Sequence, residues 1–295
     1  MKKKSRTIET LLLILTILPL VCGIMIKVFT YEPSNGIEIT GAKIFFALDT
    51  ALGQIPITES QVNSWLVIIM VFNFCLYITY GMTLAGGGVR QVIAEWIVEK
   101  SENMVKSNMG EYFNGFAPFI TAIIALSVFS SLLTLVGLYP PTSDLNIIAG
   151  WAILVFILIT HYKLKCGVIH YIKSFGEPLA LLAPLNIISE VATPVSMTFR
   201  HYGNVLSGSI ISVLLLEGLK KMSYLMFKWL PFGLGKIPFL QVGIPAVLSI
   251  YFDVFSGCLQ AIIFAMLTML YVSGGFPAAD YGKKMNGYKE NKMEG

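Results

Sequence analysis

Charge is what this sequence has least of. Of its 295 residues, 21 are Lys or Arg and 17 are Asp or Glu, so only 13% are charged, about half the ~25% of a soluble globular chain. Cysteine is also sparse: Cys22, Cys75, Cys166 and Cys258 show no CxxC and no paired spacing. That argues against a disulfide framework or a zinc site and reads them as small buried thiols. The three histidines, His161, His170 and His201, lack metal-ligand spacing and read as interfacial or packed groups. No HExxH, Walker loop or strand-bound GxGxxG occurs, and the glycines Gly86–Gly88 read as a helix terminus. Nothing implies a cofactor. The net charge of +4 comes from basic clusters at both ends, "MKKKSR" and "YGKKMNGYKENK". That is a topology signal and not a nucleic-acid footprint.

What the sequence does have is length of apolar run. Hydrophobic residues make up 55%, arranged in stretches long enough for membrane helices. The fold class expected is an all-α polytopic membrane protein of about six segments, the last two long and strongly tilted as a hairpin. Residues 1–30 form an extra first helix, 31–62 an outside loop, 63–274 the core and 275–295 a cytoplasmic tail. The first run, about Thr10–Met25, has the basic start and short core of a signal peptide. "PLVCG" even hints at a lipoprotein cleavage site, but Val21 is large for that position, and a retained helix is the preferred reading. Residues 31–62 are polar, turn-rich and acidic, with Glu32, Glu38, Asp49 and Glu59 against one base, Lys43.

A second span covers about residues 65–87. Behind it, Val89, Val92, Ile93, Trp96, Ile97, Met104 and Val105 share one helical face, and Arg90, Gln91, Glu95, Glu99, Glu102 and Lys106 take the other. This is an amphipathic helix for the membrane surface or a partner helix. The third span, about Phe116–Leu138, ends at an outside turn with Pro140, Pro141 and Asp144. The fourth, about Ile147–Ile159, runs toward Lys163, Lys165 and Lys173, which belong inside. Leu179–Leu216 would be about 57 Å long as a helix, against a hydrocarbon core of about 30 Å. It must lean, or kink at Pro184 and Pro194. Pro245–Gly274, at about 45 Å, should lean too. The loop between them carries Lys220, Lys221, Lys228 and Lys236 and comes out outside, against the positive-inside tendency. Both termini come out cytoplasmic.

Arg200 stands in the middle of the longest run, at a cost of about 2.5–3.5 kcal/mol at mid-bilayer. Its guanidinium does not release its proton. Ser196, Arg200, Asn204 and Ser207 recur at i, i+4, i+8 and i+11, on one helical face. Asn186 and Glu190 lie toward that helix's start, and Ser209 points about 180° away from Arg200. On the last helix Asp253, Gly257 and Gln260 share a face. Gly203, Ser207 and Gly208 would let another helix approach closely.

Two readings stay open. Arg200 and Asp253 could form a static ion pair, with Asn204 and Gln260 as helix–helix glue and the serines bonding their own backbone. Alternatively Arg200 is a gate. It cannot carry a proton, but it forces a carboxylate that nears it to ionise. Asp253, Ser209, Asn204 and Gln260 would then hold water or hand on an ion, as in an ion-translocating protein.

The stretch "PVSMTFRHYGNVLSG" resembles the signature of subunit a of the F-type ATP synthase, P-x-S-L-x-x-R-L-F-G-N-x-x-A-G. Pro194, Ser196, Arg200, Gly203, Asn204 and Gly208 match it. "GLYPPTSDLN" (137–146), "PLNIISEVATPVS" (184–196) and "LQAIIFAMLTMLYV" (259–272) resemble further family stretches in order, and the likeness covers about 63–274. The resemblance implies a stator beside a ring of c subunits, with two offset half-channels and the ring carboxylate kept ionised by Arg200. By position, Gln260 matches a polar residue facing the arginine. Asp253 falls where the family has glutamate or histidine in the outer half-channel, and Ser209 where some members carry glutamate. Asn204 and Ser196 match polar positions near the arginine, Ser196 toward the inner side. His201 and Tyr202 replace the usual Leu-Phe.

The partners implied are the c ring, b-type peripheral-stalk subunits (contacted through 89–106), the rest of the complex, lipid, and H+ or Na+, with no nucleic acid. The chain itself would hold no nucleotide and would be no enzyme. The location implied is the bacterial plasma membrane. Two other classes remain as alternatives: a secondary ion-coupled transporter, which would favour inverted repeats and broken helices, and a membrane assembly scaffold.

Overall fold

A computed structural model describes residues 2–30, 41–50, 53–83, 88–165, 167–176, 181, 183–228, 240, 243, 247–248 and 250–276. Outside these lie Glu32, Glu38, Gly86, Gly87, Cys166, Lys236, Pro245 and the basic C-terminal tail, with the side chains of Lys2–Lys4, Arg6, His170 and Asp253. The chain is an all-α polytopic membrane protein. Six described helical stretches are long and apolar enough to cross a membrane: Thr7–Phe29, Glu59–Thr79, Glu111–Leu135, Leu145–Leu164, Ala183–Phe227 and Ile250–Gly274.

α1 (Lys2–Phe29) runs through Pro19 and lies along α2 (Glu59–Thr79). Between them the supposed loop holds an antiparallel hairpin, β1 (Ile44–Thr50) and β2 (Gly53–Thr58), with Leu48 opposite Ile55 and Phe46 opposite Ile57. The stretch read as an outside loop, 31–62, therefore carries strands at 44–50 and 53–58. Phe45, Phe46 and Leu48 form an apolar run too short for a helix but enough for a strand, and Gly53, at φ 126, supplies the turn. Lys43 ties the hairpin down: its Nζ donates to the Thr30 carbonyl at 3.0 Å, and its own carbonyl accepts the Glu59 N–H at 2.7 Å. Glu59 therefore opens α2, capped by Thr58.

α3 (Val89–Met109) is the expected amphipathic helix. Val105 and Met109 plug into the core, while Val89, Val92, Ile93 and Trp96 stay exposed. A 3-10 turn (Glu111–Phe116) leads into α4 (Ala117–Leu135). A second (Pro141–Ser143) leads into α5 (Leu145–Leu164). α6 (Val168–Ser174) is a short helix before α7 (Ala183–Phe227). A π-helical segment (Ile250–Phe255) passes into α8 (Ser256–Gly274). The main core gathers Val105, Phe113, Ile120, Val155, Met197, Phe264, Met269 and Val272, so α3, α4, α5, α7 and α8 form one bundle.

α7 is longer than the sequence suggests. Its 45 residues span about 67 Å, more than twice the ~30 Å of a hydrocarbon core, so it must lean or overshoot. Lys220 and Lys221 stand on its last turns and not in a loop, because no strong helix breaker follows Leu216. Pro184 sits in the first turn, where its missing N–H costs nothing. Only Pro194 lies inside. The thiols of Cys22 and Cys75 are exposed and that of Cys258 half-buried, which corrects their reading as buried. On a membrane helix the outward face is apolar too, so hydrophobic context does not mean interior.

The turn between α4 and α5 is a knot of polar bonds. Asp144 caps α5 by accepting the Asn146 N–H at 2.9 Å and accepts the buried Ser60 hydroxyl at 2.5 Å. Asn63 donates to the Tyr139 carbonyl at 2.8 Å. Burial, then the Asp144 charge, raises the Tyr139 phenol above its ordinary value. Asp144→Ala removes both cap and hydroxyl partner. We expect a loss of about 1–3 kcal/mol, visible as a lower thermal midpoint of the purified protein, with Asp144→Asn milder because it still caps.

Candidate functional site

Burial divides α7 lengthwise. Met197, Thr198, His201 and Gly208 are buried against the bundle. Ser196, Arg200, Asn204 and Ser207, the stripe expected from spacing, are all exposed. His201 orients the helix: its ring lies edge-on to Trp151 at 6.2 Å and to Phe264 at 5.6 Å, and its Nε2 is 3.5 Å from the Ser127 hydroxyl. With His201 turned in, its neighbour Arg200 is turned out. Among the described residues no carboxylate lies within ion-pair distance of Arg200.

One turn beyond Arg200, Asn204 donates from Nδ2 to Gln260 Oε1 at 2.7 Å. This joins α7 to α8 through a residue only 2% exposed. So Asn204 and Gln260 meet one helical turn from Arg200. Ser207 gives its proton to the Asn204 carbonyl at 3.2 Å, and Ser209, off the stripe, to the Leu206 carbonyl at 2.8 Å. Asp253 stands in the π-helical segment, a wider turn often found at functional sites.

Within the described residues of this chain, a Cβ at Gly203 would meet nothing within 4 Å. At Gly208 a Cβ would make ordinary contact with Phe252 at 3.8 Å. The tight crossing is elsewhere, at Gly257 on α8, where a Cβ would fall 2.5 Å from the Ser131 Cβ of α4.

Asn186 and Glu190 sit apart, about 15–21 Å along α7 from Arg200. Glu190 Oε1 accepts Lys163 Nζ at 3.1 Å and the Tyr171 hydroxyl at 3.0 Å. Asn186 donates to the Phe175 carbonyl at 2.8 Å. Burial first, then the Glu190 carboxylate, push the Tyr171 phenol up to about 12, so it remains a hydrogen-bond donor at any working pH. Lys163, Asn186 and Glu190 line a cavity of about 430 Å³ with Ser189, Thr193 and Tyr271. A second, small cavity of about 20 Å³ lies past Arg200, lined by Ser131, Thr134, Thr142, Asn204, Ser256 and Gly257. Ser131 and Thr134 give their protons to backbone carbonyls, and the buried Thr142 hydroxyl has no hydrogen-bond partner among the described residues. A wall of spare oxygen acceptors suits a water or a small cation.

Lys163 and Tyr171 were not found from sequence as site residues. Lys163 read only as a topology marker, and no local pattern links positions 27 residues apart. Ser131, Thr134 and Thr142 were missed for the same reason. Small hydroxyl residues in apolar runs were the only available signal.

The profile of the family described as "ATP synthase A chain" matches residues 61–273. The chain is 31% identical over 218 residues to an ATP synthase subunit a of Desulforamulus reducens, covering 73% of this chain and 78% of the relative. It is 30% identical over 226 residues to one of Trichlorobacter lovleyi (75% and 88%) and 25% identical over 230 residues to one of Legionella pneumophila (77% and 90%). The matched range takes in Ser196, Arg200, Asn204, Ser207 and Gln260. This chain therefore belongs to the ATP synthase A chain family.

Proposed function

We propose that the chain is the ion-conducting stator subunit of a rotary ATP synthase, with Arg200 facing the carboxylates of a c-subunit ring. The observation that carries this is an exposed guanidinium in mid-helix with no described carboxylate beside it. A lone chain could not keep that group against lipid without cost, so a partner of opposite charge must meet it. The two cavities lie on either side of Arg200 along α7, toward Asn186–Thr193 and toward Asn204–Val205. That is the offset expected of two half-channels. The larger opens at the lysine-rich end and is the inner one; the smaller is the outer. Gln260, Asn204 and Asp253 serve the outer path with Ser209 beyond them. Ser196, Glu190 and Asn186 serve the inner.

The ion in this reading is a proton, although the same oxygens would pass Na+. ATP chemistry belongs to other subunits. The chain sits in the bacterial cell membrane with both ends in the cytoplasm, where Lys163, Lys165 and Lys173 also lie. The exposed face of α3 receives a b-type stalk subunit. The direct test is a single cysteine at Asn204 or Ser207, with native cysteines replaced, in the assembled complex. Oxidation should join it to a cysteine placed beside the ring carboxylate. A cysteine at buried Thr198 should not react. Equal reaction from both faces, or none from the stripe, would refute the orientation.

A further inference from the structure

α1 lies before the part of the chain that matches the family, residues 61–273, and its role does not follow from that membership. Three contacts at different depths hold it. At one end Glu9 pairs with Arg90 of α3 at 2.9 Å, and Arg90 also lies over the Tyr77 ring. Toward the other, Gly23 lets α1 close on Leu66 and Leu138: a Cβ there would fall 3.0 and 3.1 Å from their methyl groups. The third contact, near mid-helix, is the informative one.

In an α-helix the carbonyl of Leu15 should accept the N–H of residue 19. Residue 19 is proline and has none. An orphan carbonyl in hydrocarbon costs several kcal/mol, because lipid offers no donor. Here Asn73 of α2, only 5% exposed, gives its Nδ2 to that carbonyl at 3.0 Å. Each group solves the other's problem: a buried amide without a partner would be as costly as the free carbonyl.

We infer that Pro19 and Asn73 form a lock that keys α1 into the membrane bundle as a lasting part of the working protein, not a leader that is removed. Cleavage near residues 19–23 would leave Asn73 facing lipid with its donor unmet and would uncover Leu66 and Leu138. The lock also fixes direction. It sets α1 antiparallel to α2, with Glu9 at the α3 end. The inference does not depend on the ion path, since it concerns a different face of the bundle.

The experiment uses the assembled complex. Mass spectrometry of this subunit from the assembled complex should recover peptides spanning residues 7–29, the membrane stretch of α1. A mature subunit lacking its first twenty or so residues would overturn the inference. The lock itself is read by a double-mutant cycle. Asn73→Leu should lower the thermal midpoint, or the amount of subunit recovered, when residue 19 is proline. In a Pro19→Ala background the helix bond to Leu15 is restored, and Asn73→Leu should then have a much smaller effect. If Asn73→Leu alone fails to accumulate, the double variant should recover it. Equal loss in both backgrounds would show that Asn73 stabilises the protein by some route other than the freed carbonyl.

Discussion

Arg200→Ala should abolish ion-driven ATP synthesis while leaving the complex assembled. The argument is electrostatic. At about 4 Å and an effective dielectric of about 20, a guanidinium and a carboxylate attract by about 4 kcal/mol. That is roughly three pKa units, so a ring acid passing Arg200 would be held ionised by about a thousandfold. Without the charge, a protonated acid slides from one half-channel to the other with no net work done. Each charge crossing 100 mV is worth about 2.3 kcal/mol, and that energy would leak away as heat. We expect synthesis in membrane vesicles to fall at least about 100-fold on this scale, with passive ion leak increased.

Arg200→Lys should also fail. An ammonium can surrender its proton when desolvated, and it lacks the rigid fork. Two results would count against the account: normal synthesis in either variant, or a complex that no longer assembles because Arg200 is only a structural support.

Gly257→Ala is the second large effect expected, and it arises from packing. Its new methyl would fall 2.5 Å from the Ser131 Cβ and closer still to the hydroxyl. A rotamer change can move the hydroxyl but not the Cβ, so α4 and α8 must separate. Overpacking of this kind costs about 1–3 kcal/mol. Gln260 stands three residues on, and its bond to Asn204 at 2.7 Å would stretch. Misplacements of about 1 Å can cost about 100-fold in rate, so we expect ATP-driven ion pumping to fall roughly tenfold or more. A second substitution separates cause from accident. Ser131→Gly should partly restore pumping in Gly257→Ala, whereas Ser131→Ala, which keeps its Cβ, should not. Rescue by Ser131→Ala would assign the clash to the hydroxyl alone.

The stripe of Ser196, Arg200, Asn204 and Ser207 was legible because a helix repeats on a fixed period. Spacing alone therefore places those side chains together. The same logic gave α3. The hairpin at 44–58 was not legible, because a strand of half a dozen residues in a polar, turn-rich region gives little periodicity to count. The end of α7 was set too early by a fall in hydrophobicity after Leu216. Helix propensity carries the backbone on to Phe227 whether or not lipid surrounds it. Contacts between distant segments were the least readable. Nothing local to Gly257 says that Ser131 lies against it, and nothing local to Glu190 names Lys163. The fold followed from local rules, and the fine geometry of the site from packing that those rules do not contain.

The outward turn of Arg200 has a consequence for the life of the chain before assembly. A newly made copy presents a bare cation and an amide to acyl chains. On insertion scales such a residue costs about 2.5–3.5 kcal/mol, a large share of the 5–15 kcal/mol that holds a typical native protein together. Orphan copies should therefore be short-lived in the cell, targets for membrane proteases until a ring shelters them. Their abundance would then follow the supply of ring subunits more closely than it follows their own rate of synthesis.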